Sequence, residues 1–87
     1  MIGIHWIGPT SNIWSDHQCK HIRNFLGFDL EKCKKKCRET EGCTAINHSS
    51  KNKVDCVLRG CSTPVPLPTW SLPNYEGHYL SSGKLQS

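Results

Sequence analysis

Six cysteines and five histidines are the residues of this 87-residue chain best suited to chemistry. The two residue types together can hold zinc, but structural zinc sites favour Cys-x2-Cys pairs, which the chain lacks. The histidines are scattered, and neither a Gly-x-Ser-x-Gly nor a His-Glu-x-x-His motif occurs. We therefore expect no metal site, no cofactor and no enzymatic activity.

An even number of cysteines in so short a chain predicts a disulfide framework instead. Disulfides form in oxidising compartments, so we expect a secreted protein or an extracellular part of a cell-surface protein. Only 36% of the residues are hydrophobic, which leaves a small core whose stability needs covalent support. No apolar run approaches about 18 residues, the length that spans a membrane, so membrane insertion is not expected.

One helix is predicted from Asp29 to about Glu41. Asp29 is a residue type that caps helix N-termini, and Gly42 is typical of the position just after a helix end. With these limits, Cys33 and Cys37 lie one turn apart on the same face of the helix. That face is therefore expected to point inward, toward the disulfide partners.

Alternation of hydrophobic and polar residues predicts strands on both sides of the helix. They are an N-terminal strand ended by Gly8-Pro9, the two strands of a hairpin, and a closing strand, in residues 1–13, 44–48, 54–59 and 75–80. Between the hairpin and the closing strand, residues 62–73 hold four of the five prolines. Proline lacks a backbone donor and favours extended backbone, so this segment is expected to run across the surface.

The pairing of the cysteines is open in principle, because six cysteines allow fifteen connectivities. Helical geometry favours two separate bridges from Cys33 and Cys37 over a bridge between them. A short bridge across the helix end and a second bridge from the helix to the hairpin then leave the last two cysteines for each other. The favoured pairs are Cys37–Cys43, Cys33–Cys56 and Cys19–Cys61.

The spacing of these cysteines resembles that of the PAN/apple family. The similarity consists of Cys-x3-Cys on the helix, Gly-Cys after it, an alternating strand, and the return strand Asp-Cys-Val-Leu; it covers roughly residues 14–80. The resemblance implies an α+β fold with one helix packed on a curved antiparallel sheet of about five strands and three disulfides. It also implies an extracellular module that binds proteins or carbohydrates.

The organisation that we expect is a single PAN/apple-like module in residues 1–80, followed by a flexible tail in 81–87 that is a linker or a cloning remnant. Residues 1–7 do not resemble a secretory signal, so the chain is expected to be an excised mature domain. The sequence departs from the family pattern at Ile46 and His48, where the family often has an aromatic pair.

Positive charge is concentrated in residues 20–38, which hold seven basic and two acidic side chains. Such a field attracts polyanions, and a secreted basic module meets heparin-like sulfated glycans more often than nucleic acid. The expected ligand-binding residues are three lysines on one helix face and two cations in the preceding loop: Lys32, Lys35, Lys36, Lys20 and Arg23. The alternative is a helix face that the lysines merely keep solvated. No aromatic residue interleaves the basic run as a base-stacking platform would require, so nucleic acid is not expected as a partner.

Three tryptophans, Trp6, Trp14 and Trp70, form either an aromatic contact surface or part of the core. Asn47-His48-Ser49 is a glycosylation sequon, and a glycan is expected there only if Asn47 points outward. Taken together, these features predict an extracellular recognition module, part of a larger secreted or cell-surface protein. The alternative is a stand-alone cysteine-rich effector, either toxin-like or antimicrobial, for which basic charge and cysteine density are also typical.

Overall fold

The computed structural model describes residues 5–51 and 54–81. These residues form one helix and five strands: β1 (Trp6–Thr10), β2 (Cys19–Leu26), α1 (Leu30–Glu39), β3 (Ala45–Ser49), β4 (Asp55–Cys61) and β5 (Tyr75–Leu80). The strands make one open antiparallel sheet in the order β1-β5-β3-β4-β2, with β1 and β2 at its edges. The predicted α+β class, with one helix, five antiparallel strands and three disulfides, is confirmed.

The helix begins where the sequence predicts, because Asp29 caps it: its Oδ1 accepts a hydrogen bond from the Lys32 N–H at 2.8 Å. It ends two residues earlier than predicted. Thr40 adopts extended backbone, and its hydroxyl donates to the Lys36 carbonyl at 2.7 Å. Gly42, at φ 86°, then turns the chain toward Cys43, a conformation that glycine adopts without strain.

α1 packs against β3 and β4, and the core on this face of the sheet contains two of the disulfides. Cys33–Cys56 joins the helix to β4, and Cys37–Cys43 joins the last helical turn to the following loop. Buried Ile46 and Leu58 fill the space between these bridges. The buried half-cystines therefore make up much of this core, a role that aliphatic side chains have in larger proteins.

The second face of the sheet is covered by two loop segments rather than by a helix. Trp14, from the β1–β2 connection, is fully buried, and its indole N–H donates to the Pro66 carbonyl at 2.8 Å. Val65, from the proline-rich segment, is buried in the same cluster with Tyr79 and the Cys19–Cys61 bridge. Because β3 lies between two covered faces, all five of its residues are buried.

The three disulfides are the pairs that sequence analysis favoured. Cys19–Cys61 joins directly opposed residues of β2 and β4, so it fixes the edge strand to the sheet. Together with the helix-side bridges, it means that every cysteine is oxidised. This state indicates an oxidising, extracellular-type environment.

Two strand expectations need correction. β2 was expected to be a loop, but it is an eight-residue edge strand with a register shift between His21 and Arg23. β1 was expected to end at Gly8-Pro9, but it continues through them to Thr10. An edge strand tolerates proline because the missing N–H faces away from the sheet. The start of the predicted N-terminal strand, before His5, and the predicted tail from residue 82 onward lie outside the described part of the chain.

Candidate functional site

Two depressions lie along α1 in the described part of the chain, and the one beside the end of β2 has the larger net positive charge. It has a volume of about 240 Å³ and is lined by Phe28, Lys32, Lys35, Lys36 and Glu39. We call this depression the cationic groove. The three lysines that the sequence placed on one helix face do line a single surface.

Phe28, which lines the groove, stacks on Phe25. The rings of Phe25 and Phe28 are 4.6 Å apart between centroids and 6° from parallel. Both rings are half-buried against the helix-side core. The His48 side chain fixes the segment from below, because its Nε2 donates to the Phe28 carbonyl at 2.9 Å.

Cations from two elements surround this aromatic pair. The Lys32 ammonium lies 4.5 Å from the centroid of Phe28, and the Lys36 ammonium lies 5.7 Å from that of Phe25. The Arg23 guanidinium, on β2, lies 6.0 Å from the centroid of Phe25. Contacts of this length to an aromatic face hold a cation in place while leaving it hydrated and able to bind an anion.

Lys20 and Arg23 were expected in a loop beside the helix, and the structure corrects this. Both lie on β2, but only Arg23 approaches the phenylalanine pair beside the cationic groove. Lys20 lines a separate depression with Glu41 and Gly42, which shares no residue with the cationic groove. About 16 Å of strand separates positions 20 and 25. Lys20 is therefore removed from the candidate site.

The aromatic content of the basic segment was also misjudged. Phe25 and Phe28 lie within residues 20–38, so the premise that no aromatic residue interleaves the basic run is wrong. Each phenyl ring, however, already has the other ring and a cation as neighbours. The sequence offered the signal, in the spacing Phe25-x2-Phe28, but only the fold shows that these rings stack on each other.

The second depression on the helix has a larger volume but a smaller net positive charge. It has a volume of about 460 Å³ and is lined by Trp6, Glu31, Lys34, Lys35, Arg38 and Glu39. The Lys34 ammonium lies 5.9 Å from the Trp6 ring and 3.9 Å from the Glu31 carboxylate. Three cations against two carboxylates leave a smaller net positive charge than the three lysines of the cationic groove against Glu39 alone. The cationic groove is therefore the better candidate for anion binding.

The three tryptophans do not form one aromatic surface. Trp14 is fully buried and meets Tyr79 edge-on, with ring centroids 6.1 Å apart. Trp6 packs against the helix-side core, whereas Trp70 is 42% exposed and lies on the opposite face of the sheet. The core alternative holds for Trp14, and Trp70 is the tryptophan with an exposed ring.

Asn47 points inward, so the sequon is not available for a glycan in the folded chain. Its side chain is 1% exposed and pairs with both backbone polar groups of Trp14. The amide Nδ2 donates to the Trp14 carbonyl at 2.9 Å, and Oδ1 accepts from the Trp14 N–H at 3.3 Å. The outward orientation that a glycan requires would break both hydrogen bonds and expose the core.

Within residues 5–51 and 54–81, no group of three or more histidine, cysteine or acidic side chains is placed to hold a metal ion.

His78 is buried on β5, and this burial lowers its pKa, with the nearby Lys34 ammonium acting in the same direction. No helix in the described part of the chain is long and apolar enough to cross a membrane.

Comparisons of the chain with protein-family models, with curated proteins and with solved structures find no match. The PAN/apple resemblance therefore rests on the cysteine spacing and the residues beside it.

Proposed function

We propose that this chain is a secreted or cell-surface recognition module of the PAN/apple type, and that it binds sulfated polysaccharide through the cationic groove without chemically changing it. The observation that carries the proposal is the convergence of Lys32 and Lys36, from the helix, with Arg23, from β2, on one stacked phenylalanine pair. If the lysines served only to keep the helix face solvated, there would be no reason for a cation from β2 to lie beside them.

The groove suits a polyanion because its cations are partly ordered before binding. A lysine side chain loses roughly 1.5–2 kcal/mol of rotamer entropy when it is fixed, and contact with an aromatic ring meets part of that cost in the free protein. Lys35 lies between the two helix depressions and so extends the charged surface. A chain of sulfate groups can contact several of these cations at once.

The test is binding to heparin by the parent and by two double variants of equal net charge. Lys32→Glu with Lys36→Glu changes the groove. Lys20→Glu with Lys51→Glu changes two exposed lysines outside it. Two lost contacts worth up to about 1 kcal/mol each, together with new repulsion, predict at least a tenfold loss of affinity for the groove variant. The control variant is expected to lose much less.

Binding should also weaken strongly between about 0.05 and 0.5 M salt, because the Debye length falls from about 14 Å to about 4 Å. Circular dichroism shows whether both variants are folded, and mass spectrometry of the recovered heparin fragments is expected to show no cleavage. Equal losses in the two variants would show that net charge alone drives binding. Full retention by the groove variant, or cleaved fragments, would equally overturn the proposal.

A further inference from the structure

The face of the sheet opposite the helix holds a second kind of depression, which shares no residue with the cationic groove. It has a volume of about 190 Å³, and its lining includes Asp55, Val57, Arg59, Trp70, Leu72 and Tyr75. We call it the Trp70 pocket. Asp55, Val57 and Arg59 alternate along β4, so they lie on the same face of the sheet. Cys56 and Leu58 point the other way, into the helix-side core.

The pocket contains two buried charged side chains, each with one polar atom left over. Asp55 is 8% exposed and Arg59 is 4% exposed. Asp55 Oδ1 and Arg59 Nε are buried and have no hydrogen-bond partner among the described residues. Buried polar groups are nearly always hydrogen-bonded, and an unpaired one costs about 1–3 kcal/mol. The site therefore lacks one donor, for Asp55, and one acceptor, for Arg59.

Each of these two side chains also has an atom that is already hydrogen-bonded. Asp55 Oδ2 accepts from the Tyr75 hydroxyl at 2.6 Å, and this bond raises the pKa of Tyr75 to about 12, so the hydroxyl stays protonated. Arg59 pairs with the Asp16 carboxylate and donates to the Cys19 carbonyl at 3.3 Å. Arg59 already has a carboxylate partner, so an anionic ligand would bring an unpaired charge into the pocket, and a carboxylate has no donor for Asp55 Oδ1. An ammonium group could donate to Asp55, whose only partner in the described part of the chain is the neutral Tyr75 hydroxyl, but it has no acceptor for Arg59 Nε.

Trp70 supplies an apolar wall at the rim of the pocket. Its backbone exchanges two hydrogen bonds with Ile13, at 2.8 and 3.0 Å, which fix the position of the residue. The residue is nevertheless 42% exposed, whereas Trp14 and Tyr79 on the same face of the sheet are buried. Trp70 and Arg59 also border a wider groove of about 510 Å³ that includes Asp16 and His17, so a ligand in the pocket can extend outward along the surface.

We propose that the Trp70 pocket binds one ring of a neutral glycan, a single hexopyranose whose hydroxyls complete Asp55 and Arg59 and whose apolar face stacks on Trp70. A hydroxyl both donates and accepts, so a sugar supplies the missing donor and the missing acceptor without adding charge. The volume suits one ring, and the wider groove leaves room for the next. This site is independent of the proposed polyanion groove.

The test is a titration of isotope-labelled protein, followed by two-dimensional NMR, with the methyl glycosides of glucose, galactose, mannose and N-acetylglucosamine. At least one is expected to shift the Trp70 indole and β4 amide signals saturably, with Kd of about 1–10 mM for so small a ligand. Lys32→Glu with Lys36→Glu is expected to bind the sugar unchanged. That result separates this site from the polyanion proposal, whichever way the heparin test turns out.

Two variants address the pocket itself. Trp70→Ala removes a partly exposed ring and, with the indole signal gone, is expected to abolish the shifts of the β4 amides while the amide spectrum stays that of a folded chain. Asp55→Asn keeps the size of the side chain but replaces a carboxylate oxygen, and it is expected to weaken binding tenfold or more. The proposal is overturned if none of the four glycosides gives a saturable shift up to about 50 mM. It is also overturned if the β4 amide shifts persist unchanged in Trp70→Ala, because the sugar would then bind without stacking on Trp70.

Discussion

The disulfides differ in how much unfolded chain they constrain, and this difference can be measured. Cys19–Cys61 closes a loop with a sequence separation of 42, whereas Cys37–Cys43 closes one of only 6. Replacing each pair by alanines removes two sulfur atoms in both cases. The two variants thus differ mainly in the loop that is released.

Loop-closure entropy gives the magnitudes. The Cys33–Cys56 bridge, with a separation of 23, stays closed inside the larger loop, so removing Cys19–Cys61 releases a loop of only about 19 residues. For loops of about 19 and 6 residues, the loss of stability at 25 °C is about 3.2 and about 2.2 kcal/mol, a difference of about 1 kcal/mol. An 87-residue chain has an unfolding entropy near its midpoint of about 0.18 kcal/mol/K, so the difference corresponds to about 6 °C in Tm. Lost packing acts in the opposite sense, because Cys37 and Cys43 are both buried while Cys61 is only half-buried.

The assay is thermal unfolding followed by circular dichroism, with the remaining bridges verified by peptide mapping without reductant. We expect Cys19→Ala with Cys61→Ala to unfold at a lower temperature than Cys37→Ala with Cys43→Ala. Peptide mapping of the parent is expected to return the three pairs seen in the structure. If the Cys37 and Cys43 variant were equally or more destabilised, the entropic argument would be refuted and the local packing of the sulfurs would dominate.

Two further outcomes follow from single side chains. Asp29→Ala is expected to lower the free energy of unfolding by about 1 kcal/mol in chemical denaturation, because the Lys32 N–H loses its acceptor, whereas Asp29→Asn keeps an oxygen there and should cost much less; equal losses would contradict the capping role. The lowered pKa of His78 means that protonation favours the unfolded chain, so its contribution to stability is complete above about pH 6.5 and is lost as the pH falls through the folded pKa. NMR titration of the His78 ring should give a midpoint below that of an unfolded histidine, and a midpoint at or above it would show that burial does not govern this group.

Local features of the sequence were sufficient to predict the helix, the hairpin and the closing strand. Asp29 and Gly42 act through hydrogen bonds and backbone conformations within one turn of their own positions, so their effect is visible without the fold. The inward direction of Cys33 and Cys37 follows from helical periodicity alone. The strand β2 was missed because it lies at a sheet edge, is mostly exposed, and has a register shift that disturbs its alternation.

The candidate sites depended on contacts that sequence does not show. Phe25, on the edge strand β2, and Lys36, on the helix, meet because the Phe25 ring lies on the side of the sheet against which the helix packs. The sequon left the orientation of Asn47 open, and Trp14, from a distant loop, decides it by pairing with both polar groups of the side chain. Trp70 and Asp55 come together only because the proline-rich segment crosses β4.

The sequence by itself determined the elements whose causes are local: a capped amphipathic helix, alternating strands and a cysteine pattern that the helical period makes interpretable. Tertiary structure decided which side chains share a surface, namely that Arg23 joins the lysines, that Lys20 does not, and that Trp14 is core while Trp70 is exposed. The physical reason is distance along the chain. Hydrogen bonds within a turn are set by neighbouring residues, whereas burial and charge clustering are set by whichever remote segment covers a given face of the sheet.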